Sequence, residues 1–359
     1  MDNRNQLIDV AKGISIILVS LHHSQLAHKY FWHLSLSLGL FRIPLFFFLS
    51  GIFFSASAKP TEFFFKKTDA LLKPYFVTLF FLLFASILSN ESNIGKQAVG
   101  ILYGNGHTIR WVPLWFLTNL WSTYVISYLL FHYTKLDNQK IIIKVLLIFS
   151  LLFIGVYLID KFWLFPVFIF GLEIQLPGLP FNFDLVILSM AFFVAGYFLN
   201  RRVKEFNPNI TIFVAALLIF VFIATNTEAA ISFHRRLYNE PIYATLAAIS
   251  GIYITLSISH AICKKQYLRN TFTAFGSASL FVLIFHSSIG AKIYYLLNSL
   301  FHVNSILFVS ILAFLASITI PLLIRKAMLK NDFLMFFYFP LKTNKLFHTI
   351  RNQINSRSM

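Results

Sequence analysis

Ten apolar segments divide this chain of 359 residues, and each is long enough to cross a lipid bilayer as an α-helix. A helix rises 1.5 Å per residue, so about 20 apolar residues span the roughly 30 Å of bilayer hydrocarbon. Because lipid offers no hydrogen bonds, the backbone must satisfy its own polar groups, as a helix does. The expected helices are 7–26, 35–57, 70–89, 112–133, 141–159, 183–200, 210–226, 241–262, 277–298 and 303–325.

The composition supports the same interpretation. Hydrophobic residues make up 58% of the chain and charged residues only 12%, whereas soluble domains carry about 25% charged residues. We therefore predict an all-α fold, a polytopic integral membrane helical bundle with about ten transmembrane helices. A cleaved signal peptide over 1–27 is a weaker interpretation, because many further spans follow. The single cysteine, Cys263, excludes an intramolecular disulfide.

The basic residues predict the orientation. The net charge is +17, but the lysines and arginines lie in short runs between apolar segments, which indicates positive-inside topology rather than a nucleic-acid partner. With both termini in the cytoplasm, most of the 30 lysine and arginine residues fall on the inner side. An odd number of spans would remove this asymmetry. The basic residues left on the outer side are Lys29, Arg42, Lys96, Arg110, Lys161, Arg235, Arg236 and Lys292.

The domain organisation predicted from the pattern is simple. A single transmembrane domain covers 1–330, and a basic cytoplasmic tail covers 331–359. The tail begins with an aromatic patch, FLMFFYF at 333–339, which we expect on the inner membrane surface. The second span contains Pro44 and Gly51, so it is a candidate for a kinked or broken helix.

The first span carries four ionisable residues at membrane depth: Asp9, Lys12, His22 and His23. An ionisable residue there costs roughly 2.5–3.5 kcal/mol to insert, so it marks a functional site by default. At 100° per residue, Asp9, Lys12 and His23 share one helical face, and His22 points away from it. The three residues therefore form one polar stripe.

Lys12 and His23 lie near opposite ends of this stripe, about 16 Å apart along the helix axis. Ile16 and Val19 lie between them and can line a narrow apolar passage. His23 is the candidate general base, because neutral imidazole accepts a proton near pH 7. Asp9 can pair with Lys12, although both can instead anchor the inner interface by snorkelling.

The first span also carries a family resemblance. A cation, ten further residues and then a histidine, here Lys12 to His23 within LIDVAKGISIILVSLHH, resembles the signature of the membrane-bound acyltransferase-3 family. Four later stretches resemble the family in order along the chain. They are FRIPLFFFLSGIFF at 41–54, LLKPYF at 71–76, PLWFLTNLW at 113–121 and SLFVLIFHSSIG at 279–290.

One stretch departs from the family pattern. Family members often show two arginines three residues apart before the third span. This chain has Lys66 and Lys67 followed by Thr68 and Asp69, so an acidic residue stands where a cation is expected. The roles of the family's arginines are therefore not carried over to this chain.

The resemblance implies transfer of an acyl group, usually acetyl from acetyl-CoA, to a sugar hydroxyl of O-antigen, capsule or exopolysaccharide. We expect a multi-pass enzyme of the bacterial inner membrane whose partners are acetyl-CoA, a sugar or lipid-linked glycan acceptor, and membrane lipids. Acetyl-CoA is expected as the acyl-donor substrate, and neither a bound cofactor nor a metal is expected. In this scheme Asp9 positions Lys12, and Lys12 guides or neutralises the donor.

Further residues complete the candidate site. Arg42 can stabilise an oxyanion or a sugar–phosphate group. His286 lies near the middle of the ninth span, where a polar group without a partner is costly. Arg110 and Trp115 flank the outer start of the fourth span and are candidate substrate contacts.

The inner basic clusters are candidates for binding the phosphates of CoA, although positive-inside topology also accounts for them. They are Lys66 and Lys67, Arg201 and Arg202, and Lys264 and Lys265.

Two other classes of membrane protein share these features. A glycan flippase or exporter would also have many spans and buried ionisable groups, but no internal repeat is visible here. An envelope polysaccharide polymerase would be expected to have a long, arginine-rich outer loop, and the outer connections 90–111 and 160–182 carry few basic residues. The acceptor sugar, the acyl chain and a covalent acyl-enzyme step are left open.

Overall fold

The computed structural model describes residues 5–169, 172–301 and 306–341. These residues are mainly helical. In chain order the α-helices are α1 (Gln6–His22), α2 (Gln25–Tyr30), α3 (Trp32–Gly51), α4 (Pro60–Lys67), α5 (Lys73–Leu88), α6 (Ile94–Tyr103), α7 (Trp115–Thr134), α8 (Ile141–Leu158), α9 (Val186–Phe198), α10 (Asn200–Lys204), α11 (Ile210–Asn226), α12 (Pro241–Cys263), α13 (Gln266–Ser277), α14 (Ser279–Phe301), α15 (Ile306–Met328) and α16 (Asp332–Tyr338).

Shorter elements connect these helices. A π-helical turn, Thr68–Leu72, joins α4 to α5, and 3-10 turns cover Val112–Leu114, Leu136–Asn138 and Pro180–Leu185. Two antiparallel hairpins also form, which the pattern of apolar segments did not predict. Their strands are β1 (Trp163–Ile169) with β2 (Leu172–Pro177), and β3 (Ala230–Ser232) with β4 (Leu237–Asn239).

The predicted class of fold is confirmed: the chain is a multi-pass helical membrane protein. Over the described residues, eight helical stretches are long and apolar enough to cross a membrane. They are Trp32–Gly51, Pro60–Leu88, Val112–Thr134, Ile141–Leu158, Pro180–Phe198, Pro241–Cys263, Ser279–Leu300 and Ile306–Met328. The other two predicted spans are the helices α1 and α11, each of 17 residues. The number of ten spans stays a prediction because these two are shorter.

The described residues group into two compact units. The first lies within Met1–Phe54, Lys144–Ile159 and Leu188–Ile324. The second lies within Ser55–Ile143, Asp160–Ile187 and Arg325–Met359. Most of the predicted tail, residues 342–359, falls outside the described residues.

Helix α1 is central to the first unit, where it packs against α3, α12, α13 and α14. It begins after Asn5, whose side chain accepts a hydrogen bond from the Ile8 N–H at 3.3 Å and so caps the helix. Ile16 and Val19 are buried, so they fill the packed interior instead of lining an open passage. At the far end of α1, the hydroxyls of Ser20 and Ser317 lie 2.8 Å apart and link α1 to α15.

Two glycines allow α1 and α13 to approach closely. A Cβ atom at Gly13 would overlap the carbonyl oxygen of Phe272, and one at Gly276 would overlap the carbonyl oxygen of Asp9. Small residues at such crossings let helix backbones touch, which is the usual way that helices associate in lipid. Helix α3, in contrast, continues through Pro44 without a break.

In the second unit, the π-helical turn contacts the segment that ends at Leu341. Asp69 forms an ion pair with Lys73 at 2.6 Å and accepts a hydrogen bond from the Leu341 N–H at 2.7 Å. The Lys73 ammonium donates to the carbonyl of Phe339 at 2.6 Å. The aromatic patch at 333–339 is thus mostly helix α16, which packs against α5.

Candidate active site

Two consecutive histidines lie where α1 ends. His22 is the last residue of α1, and His23 caps the helix before Ser24 starts α2. Their ring centroids are 5.1 Å apart, with an angle of 73° between the ring planes. Because neighbouring residues on a helix point about 100° apart, the two imidazoles line different pockets.

His23 lines a small pocket of about 70 Å³ together with His286 of α14. The ring centroids of these two histidines lie 5.3 Å apart. The His23 side chain is exposed, and four serines line the same pocket: Ser20, Ser24, Ser287 and Ser317. We call this space the histidine pocket.

The tautomer of His286 follows from its hydrogen bonds. Its Nδ1 donates to the carbonyl of Val282 at 2.7 Å and lies 3.0 Å from the carbonyl of Leu283. A ring nitrogen facing a carbonyl carries the proton, so Nε2 keeps its lone pair. His286 is only 1% exposed, and within the described residues its Nε2 has no hydrogen-bond partner. A buried acceptor of this kind is suited to receive a proton donor from a neighbouring side chain or a substrate.

Lys12 and Asp9 lie toward the other end of α1. The Lys12 ammonium lies 4.5 Å from the centroid of the Phe53 ring, a cation–π contact. Asp9 is buried at 4% exposure. Neither residue lines the histidine pocket. The structure therefore keeps the basic end of the predicted stripe apart from its histidine end.

Arg42 lies beside His22 and lines a different pocket from His23. We call this space, of about 350 Å³, the Arg42 pocket; its lining includes His22, Trp32, Arg42, Glu228 and Arg235. Ser35 joins His22 to Arg42: its hydroxyl lies 2.8 Å from His22 Nδ1, and its carbonyl accepts from Arg42 at 3.4 Å. Of the predicted catalytic residues in the first unit, His23 and His286 line the histidine pocket, Arg42 lines the Arg42 pocket, and Lys12 lines neither.

Aromatic rings pack together where α3 begins, beside the Arg42 pocket. The ring of Trp32 stacks with His22 at 6.1 Å between centroids, and with His28 at 4.9 Å. These contacts hold the start of α3 against the end of α1, so His22 is fixed by Ser35 on one side and by Trp32 on another.

The remaining predicted substrate contacts lie in the second unit. Arg110 donates to Glu91 at 2.6 Å and to Ser86 at 2.8 Å. The hydrogen bond from Arg110 is the main reason that the pKa of Glu91 is lowered. Trp115 is 7% exposed and packs at the start of α7. Arg110 therefore has a partner of its own, and Trp115 is part of the packed interior.

The two lysines predicted to meet the donor differ in environment. The Lys67 ammonium lies 3.4 Å from the centroid of the Tyr124 ring, so it already makes a cation–π contact. Lys66 is exposed. Asp69, which replaces an expected cation, is buried and pairs with Lys73.

Sequence reasoning did not assign Trp32 and Arg235, which line the Arg42 pocket, or Ser35, which contacts both His22 and Arg42. Arg235 did carry a signal, because it belongs to the minority of basic residues on the predicted outer side. Trp32 and Ser35 carried none, since aromatic and serine residues are common in every span. Among the described residues, no group of three or more His, Cys, Asp or Glu side chains is placed to hold a metal ion.

Comparison with known families gives one match. The model of a family described as an acyltransferase domain matches residues 5–326. This range runs from the cap of α1 into α15 and contains every candidate residue described above. Comparisons with curated proteins and with solved structures found no match.

Proposed function

Because this chain belongs to the acyltransferase-3 family, we propose that it transfers an acetyl group from acetyl-CoA to a hydroxyl of a cell-envelope glycan. In this proposal it is a multi-pass enzyme of the bacterial inner membrane with both termini in the cytoplasm. The observation that carries the proposal is the pair of imidazoles, His23 and His286, in one pocket with 5.3 Å between ring centroids. Imidazole is the side chain best suited to proton transfer near neutral pH.

In the chemical step, His23 acts as the general base. It accepts the proton of the acceptor hydroxyl while that oxygen attacks the carbonyl carbon of the thioester. A carbon–oxygen bond forms, the carbon–sulfur bond breaks, and the sulfur of CoA takes the proton from His23. No further reactant is needed for this balance.

His286 supports His23 in this scheme as a positioning residue. Its Nδ1–H is committed to the backbone of α14, so its Nε2 can only accept. We assign this nitrogen to the N–H of protonated His23, because a base is usually oriented by a third group. The buried Nε2 then gains the partner that it lacks among the described residues.

Basic residues of the predicted inner side handle the donor. Lys12 guides or neutralises the donor and Asp9 positions Lys12. Lys66 is a better candidate than Lys67 for the CoA phosphates, because Lys67 already contacts Tyr124 and Lys66 is exposed. Arg42 is not assigned to the donor, because it lines the pocket of His22.

The direct test uses membrane vesicles that contain the protein, labelled acetyl-CoA and glycan acceptor. Replacing the general base should slow transfer by roughly 10²–10⁴-fold, so His23→Ala should lose most of the label on glycan. His22→Ala is the matched comparison, because it removes the neighbouring imidazole from the other pocket. It should keep far more activity than His23→Ala.

Equal activity of wild type and a properly inserted His23→Ala variant would reject the assignment of the base. The same assay separates the enzyme from the other two classes. A flippase, an exporter or a polymerase would leave the glycan without acetyl label, whereas the transferase should add label that mass spectrometry assigns to acetyl groups.

A further inference from the structure

We propose that the Arg42 pocket binds an anionic group of the acceptor, a carboxylate or a phosphate, and so anchors the acceptor beside the histidine pocket. This inference rests on the proposed function, because it assigns a substrate to the same enzyme. It goes beyond that function by stating what chemical feature the acceptor must carry. Three observations support it: the charge of Arg42, the charge balance of the lining, and the position of His22.

The first observation is that the buried guanidinium of Arg42 has few hydrogen-bond partners among the described residues. Arg42 is 8% exposed. Within the described residues its only hydrogen bond is a long one, 3.4 Å to the carbonyl of Ser35, and it forms no ion pair with a carboxylate. A guanidinium has five N–H donors, and a buried charge is costly unless it is paired. The pocket therefore presents charged donors that a ligand can satisfy.

The second observation is the charge balance of the lining. Arg235 lines the same pocket, and its side chain is exposed and without an ion pair in the described part of the chain. Glu228 is the acidic residue of the lining, and among the described residues it forms no ion pair with either arginine. Two arginines against one carboxylate leave the pocket positive. Planar guanidinium groups bind carboxylate and phosphate through paired hydrogen bonds, which favours these two groups as ligands.

The third observation is position. The pocket has about 350 Å³, which matches the lower end of ligand-binding cavities and suits one acidic sugar or one sugar phosphate. Its His22 is joined in sequence to His23, with 5.1 Å between ring centroids. An acceptor whose anionic group is bound by Arg42 and Arg235 would thus extend toward the base. The anchor and the chemical step occupy neighbouring pockets.

The test measures binding without acetyl-CoA. The purified full chain in detergent is titrated with glucuronate, glucose 1-phosphate and glucose, which share a sugar ring and differ in charge. Tryptophan fluorescence reports binding, since Trp32 lines the pocket. At least one anion should bind tenfold or more tightly than glucose. A preference for glucuronate identifies a carboxylate on the acceptor, and a preference for glucose 1-phosphate identifies a phosphate.

Two substitutions locate the binding. Arg235→Gln removes charged hydrogen-bond donors, so it should weaken anion binding by roughly 10- to 100-fold, which corresponds to about 1.4–2.8 kcal/mol. Arg42→Gln should abolish the preference for the anion. Lys140→Gln is the control, because it removes one exposed positive charge that lies outside the pocket and outside the residues assigned to the donor, and it should leave the affinity unchanged.

Glucose binding as tightly as both anions, or an Arg235→Gln variant with wild-type affinity, would overturn the proposal. The exposed position of Arg235 keeps this test decisive even where the buried Arg42→Gln variant does not fold. The two proposals also fail separately. Anion binding without any acetyl transfer would overturn the proposed function alone, and acetyl transfer without any anion preference would overturn the anchor alone.

Discussion

At the scale of single residues, His22 and His23 are neighbours in sequence, but they have different contacts and line different pockets. His22 is held between Ser35 and Trp32 and lines the Arg42 pocket. His23 is exposed to the histidine pocket, where its neighbour is His286. Helical geometry alone predicted this divergence, because it places the two side chains on different faces of α1.

The role of His286 gives a prediction at this scale. His286→Ala removes the acceptor nitrogen that we assign to protonated His23, so kcat should fall by between about tenfold and a hundredfold, with roughly 1.4 kcal/mol for each factor of ten. KM for both substrates should stay near the wild-type value, because His286 is placed behind the base and not on the substrate. Steady-state kinetics in vesicles measures both constants.

His286→Asn is the informative companion of this variant. An asparagine amide can still accept a hydrogen bond, so part of the lost kcat should return. A purely structural role would instead raise KM, lower the amount of inserted protein, or leave His286→Asn as slow as His286→Ala. Any of these results would contradict the positioning role.

At the scale of elements, the position of both pockets depends on how α1 is held. Asn5 caps its first turn, and Gly13 and Gly276 bring its backbone against α13. The histidines lie at the opposite end of the same helix. A change that pushes α1 away from α13 therefore affects the packing near its start and the two pockets at its end.

Gly276→Ala tests this packing. The new Cβ would overlap the backbone of Asp9, which cannot move aside as a side chain can, so the variant should lose about 1–3 kcal/mol of stability. Gly95→Ala is the matched control, because a Cβ there meets nothing within 4 Å. Replacing glycine by alanine within helix α6 should be neutral or slightly stabilising.

Thermal unfolding in detergent compares the two variants, and the apparent midpoint should fall for Gly276→Ala only. Equal midpoints for both variants would show that the contact between α1 and α13 tolerates an added methyl group. It would then not be what positions α1.

The elements also show where sequence reasoning ends. Each of the ten apolar segments contains a helix in the part of it that the structure describes, because length and hydrophobicity are local properties that can be read from the sequence. Helix α13 was not expected, because Gln266–Ser277 is short and polar. It packs against α1, which is far away in the sequence, and a local pattern does not predict such a contact. The β1–β2 and β3–β4 hairpins were missed for the same reason: strand pairing is decided by partners and not by an apolar run.

Parts of the candidate site could likewise be predicted from the sequence, and other parts depend on contacts between distant segments. The spacing of Lys12 and His23 could be read from one predicted helix, and the structure places Lys12 on α1 and His23 at the cap where α1 ends. The assignment of Arg42 to the pocket of His22 could not be predicted, because it depends on how α3 packs against α1 and against the β3–β4 hairpin. Arg110 and Lys67 were selected for their charge, and their partners Glu91 and Tyr124 come from other segments.

At the scale of the whole molecule, the charge asymmetry predicts which end of each span faces the cytoplasm. The single cysteine provides a natural probe of this prediction. Cys263 is the last residue of α12, is partly exposed, and is followed by Lys264 and Lys265 on the predicted inner side. A membrane-impermeant maleimide should leave Cys263 unlabelled in intact spheroplasts and label it after permeabilisation.

A second variant provides the opposite expectation. Cys263→Ser combined with Ser92→Cys moves the thiol to an exposed turn in the predicted outer connection. This variant should react before permeabilisation. Labelling of Cys263 in intact spheroplasts, or protection of the thiol at position 92, would reverse the orientation of the whole chain and place the Arg42 pocket on the cytoplasmic side.

The division between the two pockets at the end of α1 has a consequence for how such an enzyme can diversify. The side chains that would choose the acceptor, Arg42 and Arg235, line one pocket, and those that would perform the transfer, His23 and His286, line the other. Substitutions in the first set leave the second set in place. Substrate preference and catalysis can therefore evolve as separate modules, even though the two histidines at their boundary are consecutive in the chain.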